Sequence, residues 1–364
     1  YFSDLFLDFF EKGSYTCFVS IYKLEQRGIN LNIYDIAEQS GVSIATVSRV
    51  LNGSPSVSPA TREKVLSVIR REEYVPNAFA RGLGLNTMHF IGILCTDVSD
   101  TFYAKAVSLV EGLLRRKGFD ALLCCTGNSL DDKKKYLELL LEKRVDAVIL
   151  IGSAFKESVD NSHIENAARR VPVIIINGMV ELPNTYCVCC DEKSAVSDNV
   201  SLLHQKGCRR ILYLYDALTY SGCQKIEGYR EGLRRCGLPG DDALLVQTEK
   251  SIPETAELVS ALLKKGTAFD AVAASEDLIA VGALKALSKA GLALPVIGFN
   301  NSILAQCCTP PLTSVDNMLE TLCPAAVNIL TQILNHKSVP QKMSVSARLV
   351  ERETFQITKT EESK

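Results

Sequence analysis

From residue 88 onward, short apolar runs alternate with longer amphipathic segments, and this alternation constrains the fold more than any other feature of the chain. Runs of strand length stand at 90–95, 121–125, 147–151, 173–176, 211–215, 271–274 and 296–299. Segments of helical length lie between them, for example at 103–117, 132–143, 225–236, 253–265 and 277–290. Strands that are apolar throughout must be buried on both faces, which calls for a parallel sheet covered by helices. About 270 residues is too much for one compact sheet of this kind, so the pattern predicts two lobes.

The stretch before residue 88 has a different period. Residues 33–74 read as three short helices. Residues 33–39 carry Ile33, Ile36 and Ala37 at helical spacing, and Gly41 is a stop signal. Ser43 is a good N-cap for a second helix, 43–51, which buries Ile44 or Val47 together with Val50 and Leu51. Asn52 to Pro55 is a loop, and Ser58-Pro59 places a cap and a first-turn proline before a third helix striped by Val65, Leu66, Val68 and Ile69. Ala37, Gly41 and Val47 have the spacing of a helix-turn-helix: a small residue where the helices approach, a glycine at the left-handed turn, and an apolar residue closing the core. The outward residues of the second helix, Ser43, Ile44, Ala45, Thr46, Ser48 and Arg49, are small enough to enter a major groove. A helical hairpin packed in a core would carry bulky apolar residues there instead.

Charge and composition exclude several classes. The chain of 364 residues balances 40 basic against 42 acidic side chains, and 47% of it is hydrophobic. That composition supports sizeable cores and rules out disorder as the main state. No segment is a polycation: residues 1–30, 31–86 and 87–364 carry three, six and 31 basic against four, five and 33 acidic groups. Nucleic acid, if bound, is therefore held by a few placed residues. No apolar run reaches membrane-spanning length and no secretory signal opens the chain, so a cytoplasmic location is expected. The thirteen cysteines, among them Cys95, Cys124, Cys125, Cys187, Cys189 and Cys190 in strand-like runs, read as reduced thiols used as small core hydrophobes. A metal site at 187–190 lacks the second ligand pair such sites use, so no metal and no cofactor are expected. The four histidines form no metal-binding pair, no nucleophile elbow is present, and Gly82 and Gly84 lack the third glycine of a dinucleotide fingerprint. An enzyme is not expected. Lys133, Lys134 and Lys135 read as a solvated helix face.

The segment IYDIAEQSGVSIATVSRVLN at 33–52 closely resembles the DNA-binding head of the lactose repressor family of bacterial transcription regulators. The likeness continues through VSPATREKV (57–65), YVPN (74–77), ARGL (80–83), IGI (91–93), LLEKRVDAVIL (140–150), GY (228–229), IGFNN (297–301) and PPLTSV (310–315), and so spans about residues 31–355. It implies a small all-α helix-turn-helix head (31–76), a hinge helix or linker (77–87), and a two-lobed α/β sensor of Rossmann-like, type I periplasmic-binding-protein-like lobes (88–355), with a polar tail at 356–364. On the head it implies that Ile44 and Ala45 read bases and that Arg49 reaches a guanine edge. Tyr34, Ser43, Thr46, Ser48, Asn52, Ser58 and Thr61 would contact phosphates and fix register, and Ile33 and Asn77 would belong to the DNA-binding set. Leu83 would wedge into the minor groove at the operator centre, with Ala80 at the contact of two hinge helices. In the cleft, Phe102, Ser153, Thr219, Ser221, Lys225, Glu276 and Asn300 would line the effector site. Many members carry Arg where Lys225 stands and Asp where Asn300 stands, so the sugar is left open. The implied partners are a near-palindromic operator, a second copy of the chain in a homodimer, and a small effector, most simply a sugar. A solute-binding protein of sugar transport without a DNA role is the alternative, and it leaves 33–83 unexplained.

Residues 1–30 match nothing in that family. The expectation is a non-native or disordered extension, with translation starting at Leu31, whose codon can be TTG. Gln26-Arg27-Gly28 can encode a ribosome-binding sequence, and the aromatic stretch from Tyr1 to Phe10 would otherwise be an exposed apolar patch beside the head.

Overall fold

The computed structural model describes residues 32–51, 53–72, 74 and 88–355. The expectations for residues 1–31, for Asn52, for the linker with Asn77, Ala80 and Leu83, and for the tail fall outside the described residues. Two compact units divide at Met88 and His89.

The first unit holds α1 (Ile33–Ser40), α2 (Ile44–Leu51) and α3 (Pro59–Arg71). Asn32 caps α1 by accepting from the Tyr34 amide at 2.8 Å, while Asp35 reaches back to the Asn32 amide at 2.7 Å. Gly41 ends the helix at φ 61°, ψ 36°, where a side chain would be strained. Ser43 starts α2 from outside it, its Oγ accepting from the Thr46 amide at 3.2 Å. Ile36, Ala37, Val47, Val50, Val65 and Val68 form the core, with Leu66 and Ile69 packed at its edge. Of the two residues that the periodicity left open, Val47 is fully buried and Ile44 points outward.

The second unit holds two six-stranded sheets. In the first, β1 (Phe90–Cys95) lies between β2 (Asp120–Cys125) and β3 (Ala147–Ile151). β4 (Val173–Ile176), β5 (Thr185–Asp191) and β11 (Lys342–Ser346) follow outward from β3, all parallel. In the second, β6 (Ile211–Tyr215) lies between β7 (Leu245–Gln247) and β8 (Ala271–Ala274). β9 (Val296–Phe299), β10 (Thr313–Asp316) and an antiparallel β12 (Arg348–Val350) complete it. Helices cover both faces. On the first sheet these are α4 (Thr101–Arg116) and α12 (Leu319–Leu334) on one side and α5 (Leu130–Glu142) and α6 (Ser162–Ala168) on the other. On the second, α7 (Glu192–Gln205) and α8 (Tyr220–Arg235) oppose α9 (Ile252–Lys264) and α10 (Asp277–Lys289), with the short α11 (Ile303–Cys307) beside α10. Ile91, Ile93 and Cys95 face α4 and α12, whereas Leu94 faces α5 and α6.

Several expectations need correction. Lys133 does not belong to a solvated face: it is 3% exposed, donates to the Ala154 carbonyl, and pairs with Glu157 at 2.7 Å. Cys125 is not a core thiol, because β2 is an edge strand and leaves it exposed. Cys187, Cys189 and Cys190 are buried on β5, where Cys189 donates to the Gly178 carbonyl at 3.0 Å. The segment read as a helix from 225 begins at Tyr220, five residues earlier, because Thr219 caps it. Among the described residues, no helix is long and apolar enough to cross a membrane.

Helices α7 and α8 pack closely because α8 carries glycine at the contact. A Cβ at Gly228 would lie 2.3 Å from the Lys193 carbonyl oxygen, and one at Gly232 would lie 2.6 Å from Val200 Cβ. Gly228→Ala should therefore destabilise the second unit through overpacking by about 1–3 kcal/mol, toward the upper end because the obstacle is backbone. A lowered denaturation midpoint checks this; an unchanged one contradicts the close approach.

Candidate functional site

On the head, α2 turns its small polar face to solvent. Ser43, Ala45 and Arg49 are exposed, Ile44 is 39% exposed, and Thr46 and Ser48 are partly covered. The Ser43 and Thr46 hydroxyls bond to each other at 2.9 Å, as do those of Ser58 and Thr61 at 2.8 Å at the start of α3. Tyr34 is 65% exposed on α1, while Ile33 packs against the core edge. The described DNA-reading candidates thus sit at the amino-terminal ends of three short helices and along the outward face of α2. Amides and hydroxyls at such ends suit phosphate oxygens.

The second site is a cavity of about 240 Å³ between the lobes. All seven cleft candidates line it: Phe102, Ser153, Thr219, Ser221, Lys225, Glu276 and Asn300. The sequence reading missed Asp97, Asp100, Tyr103, Asn128, Asn177, Asp216 and Lys250. The lining comes largely from loops that leave the carboxyl ends of strands: Thr96 after β1, Gly152 after β3, Asn177 after β4, Asp216 after β6, Ser275 after β8 and Asn300 after β9. The order β3-β1-β2 in one sheet and β8-β6-β7 in the other places a topological switch point at the cavity in each lobe.

Two lysines organise its charge. Lys225 is buried, donates to the Ser275 carbonyl at 3.0 Å, pairs with Glu192 at 3.5 Å and lies 4.1 Å above the Phe299 ring. Burial alone would pull its ammonium down, but the charges of Glu192, Glu276 and Asp216 outweigh that and hold it above its ordinary value. Lys250 reaches from the loop after β7 to Asp100 at 2.6 Å in the other lobe and to Glu276 at 3.3 Å in its own. Its ammonium is likewise held up against burial by those two carboxylates. A second bond across the cleft joins Ser153 Oγ to Thr219 Oγ1 at 3.0 Å. Asn300 is fixed at both ends, donating to Glu276 at 2.5 Å and accepting from Asn317 at 2.8 Å.

Three helices begin at the cavity, and their first caps line it: Asp100 on α4, Thr219 on α8 and Glu276 on α10. A helix start favours an anion by about 0.3–1 kcal/mol. A further negative charge placed 4 Å from a carboxylate costs about 4 kcal/mol at an effective dielectric constant near 20. The balance of four carboxylates against two ammoniums, and not the helix starts, therefore decides the field of the cavity among the described residues.

Burial pushes the Glu276 carboxyl from its ordinary 4.5 up to about 7, against the pull of Lys250 and Lys225. The folded chain thus keeps a proton that the unfolded chain releases. The associated stability is present below about pH 4.5 and is lost as pH rises through about 7. Glu276→Gln, which does not titrate, should gain melting temperature relative to the parent between about pH 5 and about pH 8. A constant difference across that range would remove Glu276 as the titrating group.

Comparison with known proteins agrees with this architecture. Residues 32–77 match the family described as bacterial regulatory proteins, lacI family. Residues 88–345 match periplasmic binding proteins and the sugar binding domain of the LacI family. The chain is 48% identical over 330 residues to an HTH-type transcriptional regulator of Lachnoclostridium phytofermentans, covering 89% of this chain and 99% of that protein. It is 31% identical over 318 residues to catabolite control protein A of Priestia megaterium, covering 85% and 95%. Among solved structures, the Lac repressor dimer bound to operator and the anti-inducer ONPF superposes with a TM-score of 0.78 at 24% identity over 89% of this chain and 98% of that one. The transcriptional regulator CelR–cellobiose complex superposes at 0.66 with 26% identity, over 89% and 99%. With a regulatory head and a sugar-binding-type domain matched in one polypeptide, the chain belongs to the LacI family of DNA-binding transcription regulators.

Proposed function

We propose that this regulator binds a near-palindromic operator as a homodimer in the cytoplasm, acts as a repressor, and is controlled by a sugar in the cleft between its lobes. One α2 helix covers only a half-site, which favours a two-fold assembly on DNA. Ile44 and Ala45 meet base edges by apolar contact, Arg49 forks onto a guanine, and Tyr34, Ser43, Thr46, Ser48, Ser58 and Thr61 hold phosphates. The observation that carries the effector reading is the lining of the cavity. Hydroxyls of Ser153, Thr219 and Ser221, the amide of Asn300 and the carboxylates of Asp216 and Glu276 line it together with the aromatic side chain of Phe102. Sugars present hydroxyls at their rims and C–H groups on one face, so both halves of the lining have a counterpart.

The ligand would act by differential affinity for two lobe arrangements, a coupling of about 1–3 kcal/mol in typical cases. A gel shift with a promoter-proximal palindrome, with and without neutral sugars, tests the whole reading. Retention of the palindrome only as strongly as random DNA would reject it.

Arg49→Ala should lower operator affinity by at least about tenfold at fixed salt, with a loss of about 1–3 kcal/mol of base discrimination. Unchanged operator affinity would sink the assignment of α2 as the reading helix. Phe102→Ala should leave ligand-free operator binding intact and weaken the sugar about two- to tenfold, the range of an aromatic face contact. Equal sugar affinity in calorimetry would take Phe102 out of the site.

A further inference from the structure

Resting on the reading of the cleft as the effector site, we infer that it takes an uncharged, hydroxyl-rich ligand and excludes phosphorylated or carboxylated ones, and that Lys250 with Asp100 and Glu276 enforces the choice. Among the described residues that line the cavity, four are carboxylates (Asp97, Asp100, Asp216 and Glu276) and two are lysines, with no arginine or histidine. Both lysines are consumed within the chain. Lys225 is held by Glu192 and the Ser275 carbonyl. Lys250 is held between Asp100 and Glu276.

The features that would attract an anion are also occupied by the chain itself. Asp100 sits at the start of α4 and accepts from the Phe102 amide at 2.8 Å. Glu276 sits at the start of α10. Of the three helix starts at the cavity, α4 and α10 begin at a carboxylate of the protein and α8 at the Thr219 hydroxyl, which accepts from the Gly222 amide at 3.3 Å, and the ammonium of Lys250 is shared by the two carboxylates. What the walls still offer are acceptors. Among the described residues the Asp216 carboxylate receives only the Ser275 hydroxyl, at 3.0 Å, and Asp97 receives the amide and hydroxyl of its neighbour Ser99. Hydroxyl donors complete such groups; a phosphate would oppose them.

The test uses inorganic phosphate as the probe on the full-length chain. The readout is the melting temperature against sodium chloride of equal ionic strength. In Asp100→Asn/Glu276→Gln the ammonium of Lys250 loses both counter-charges while asparagine keeps the cap of α4. This variant should bind phosphate at least about tenfold more tightly than the parent, and adding Lys250→Met should abolish the gain. No gain, a gain that survives Lys250→Met, or a phosphate response of the parent that Lys250→Met removes would each overturn the inference. Should the double variant fail to fold, Asp100→Asn alone carries the same comparison. The result does not depend on a sugar being found. A phosphate site in the parent would leave the effector reading standing with a phosphorylated ligand, and a failed gel shift would leave the phosphate comparison standing.

Discussion

The direction of the strands governs the second unit. A parallel sheet buried on both faces points its carboxyl ends one way, and most connections return as a helix starting from that edge, the β4–β5 loop being an exception. With one sheet in each lobe, two such edges face each other. Loops, caps and helix starts converge there, while amino-terminal strand ends and the helix ends are sent elsewhere. The cavity needs no dedicated element. It follows from strand direction, and the chemistry is written in the first few residues after β1, β3, β4, β6, β8 and β9.

Charge within that edge is arranged as closed pairs. Lys225 is answered by Glu192 and the Ser275 carbonyl, with Glu276 and Asp216 adding to its field, and Lys250 by carboxylates from both lobes. Removing one member of a buried pair leaves the other uncompensated, a cost of about 3–5 kcal/mol. The same side chains therefore carry both the stability of this edge and the charge of the cavity lining. Lys133, buried against the Ala154 carbonyl and Glu157 near the Ser153 turn, extends the pattern behind the wall.

Much of this was legible in the sequence, for identifiable reasons. The strands at 90–95, 147–151, 173–176, 211–215, 271–274 and 296–299 are buried on both faces and show as uninterrupted apolar runs. The head was legible because a left-handed glycine, a small residue and two caps at fixed spacing leave few alternatives. Strands β7, β10, β11 and β12 were not legible: they are short, three to five residues each, and carry polar or charged residues such as Gln247, Asp316, Lys342 and Arg348. Helix α7 was missed because its buried face includes Glu192, Ser197 and Asn199, which no hydrophobic pattern reveals. Lys250 gave no signal for the same reason, since a lysine after an unread strand looks like any surface lysine. The seven cleft residues came from likeness to a family and not from periodicity, and the structure gathers them around one cavity.

The chain passes between the lobes three times, after Asp191, after Asp316 and after Ser346. These passages run side by side: Ser346 is the ladder partner of Asp191, and Arg348 is the partner of Asp316. A single covalent connection would leave the lobes free to twist, slide and swing. Three laced connections on one line resist sliding and twisting, and leave bending about that line as the soft direction. The cleft opposite it can report occupancy in essentially one coordinate, an angle. Whatever molecule fills it, the information delivered to the rest of the chain is reduced to how far that angle has closed.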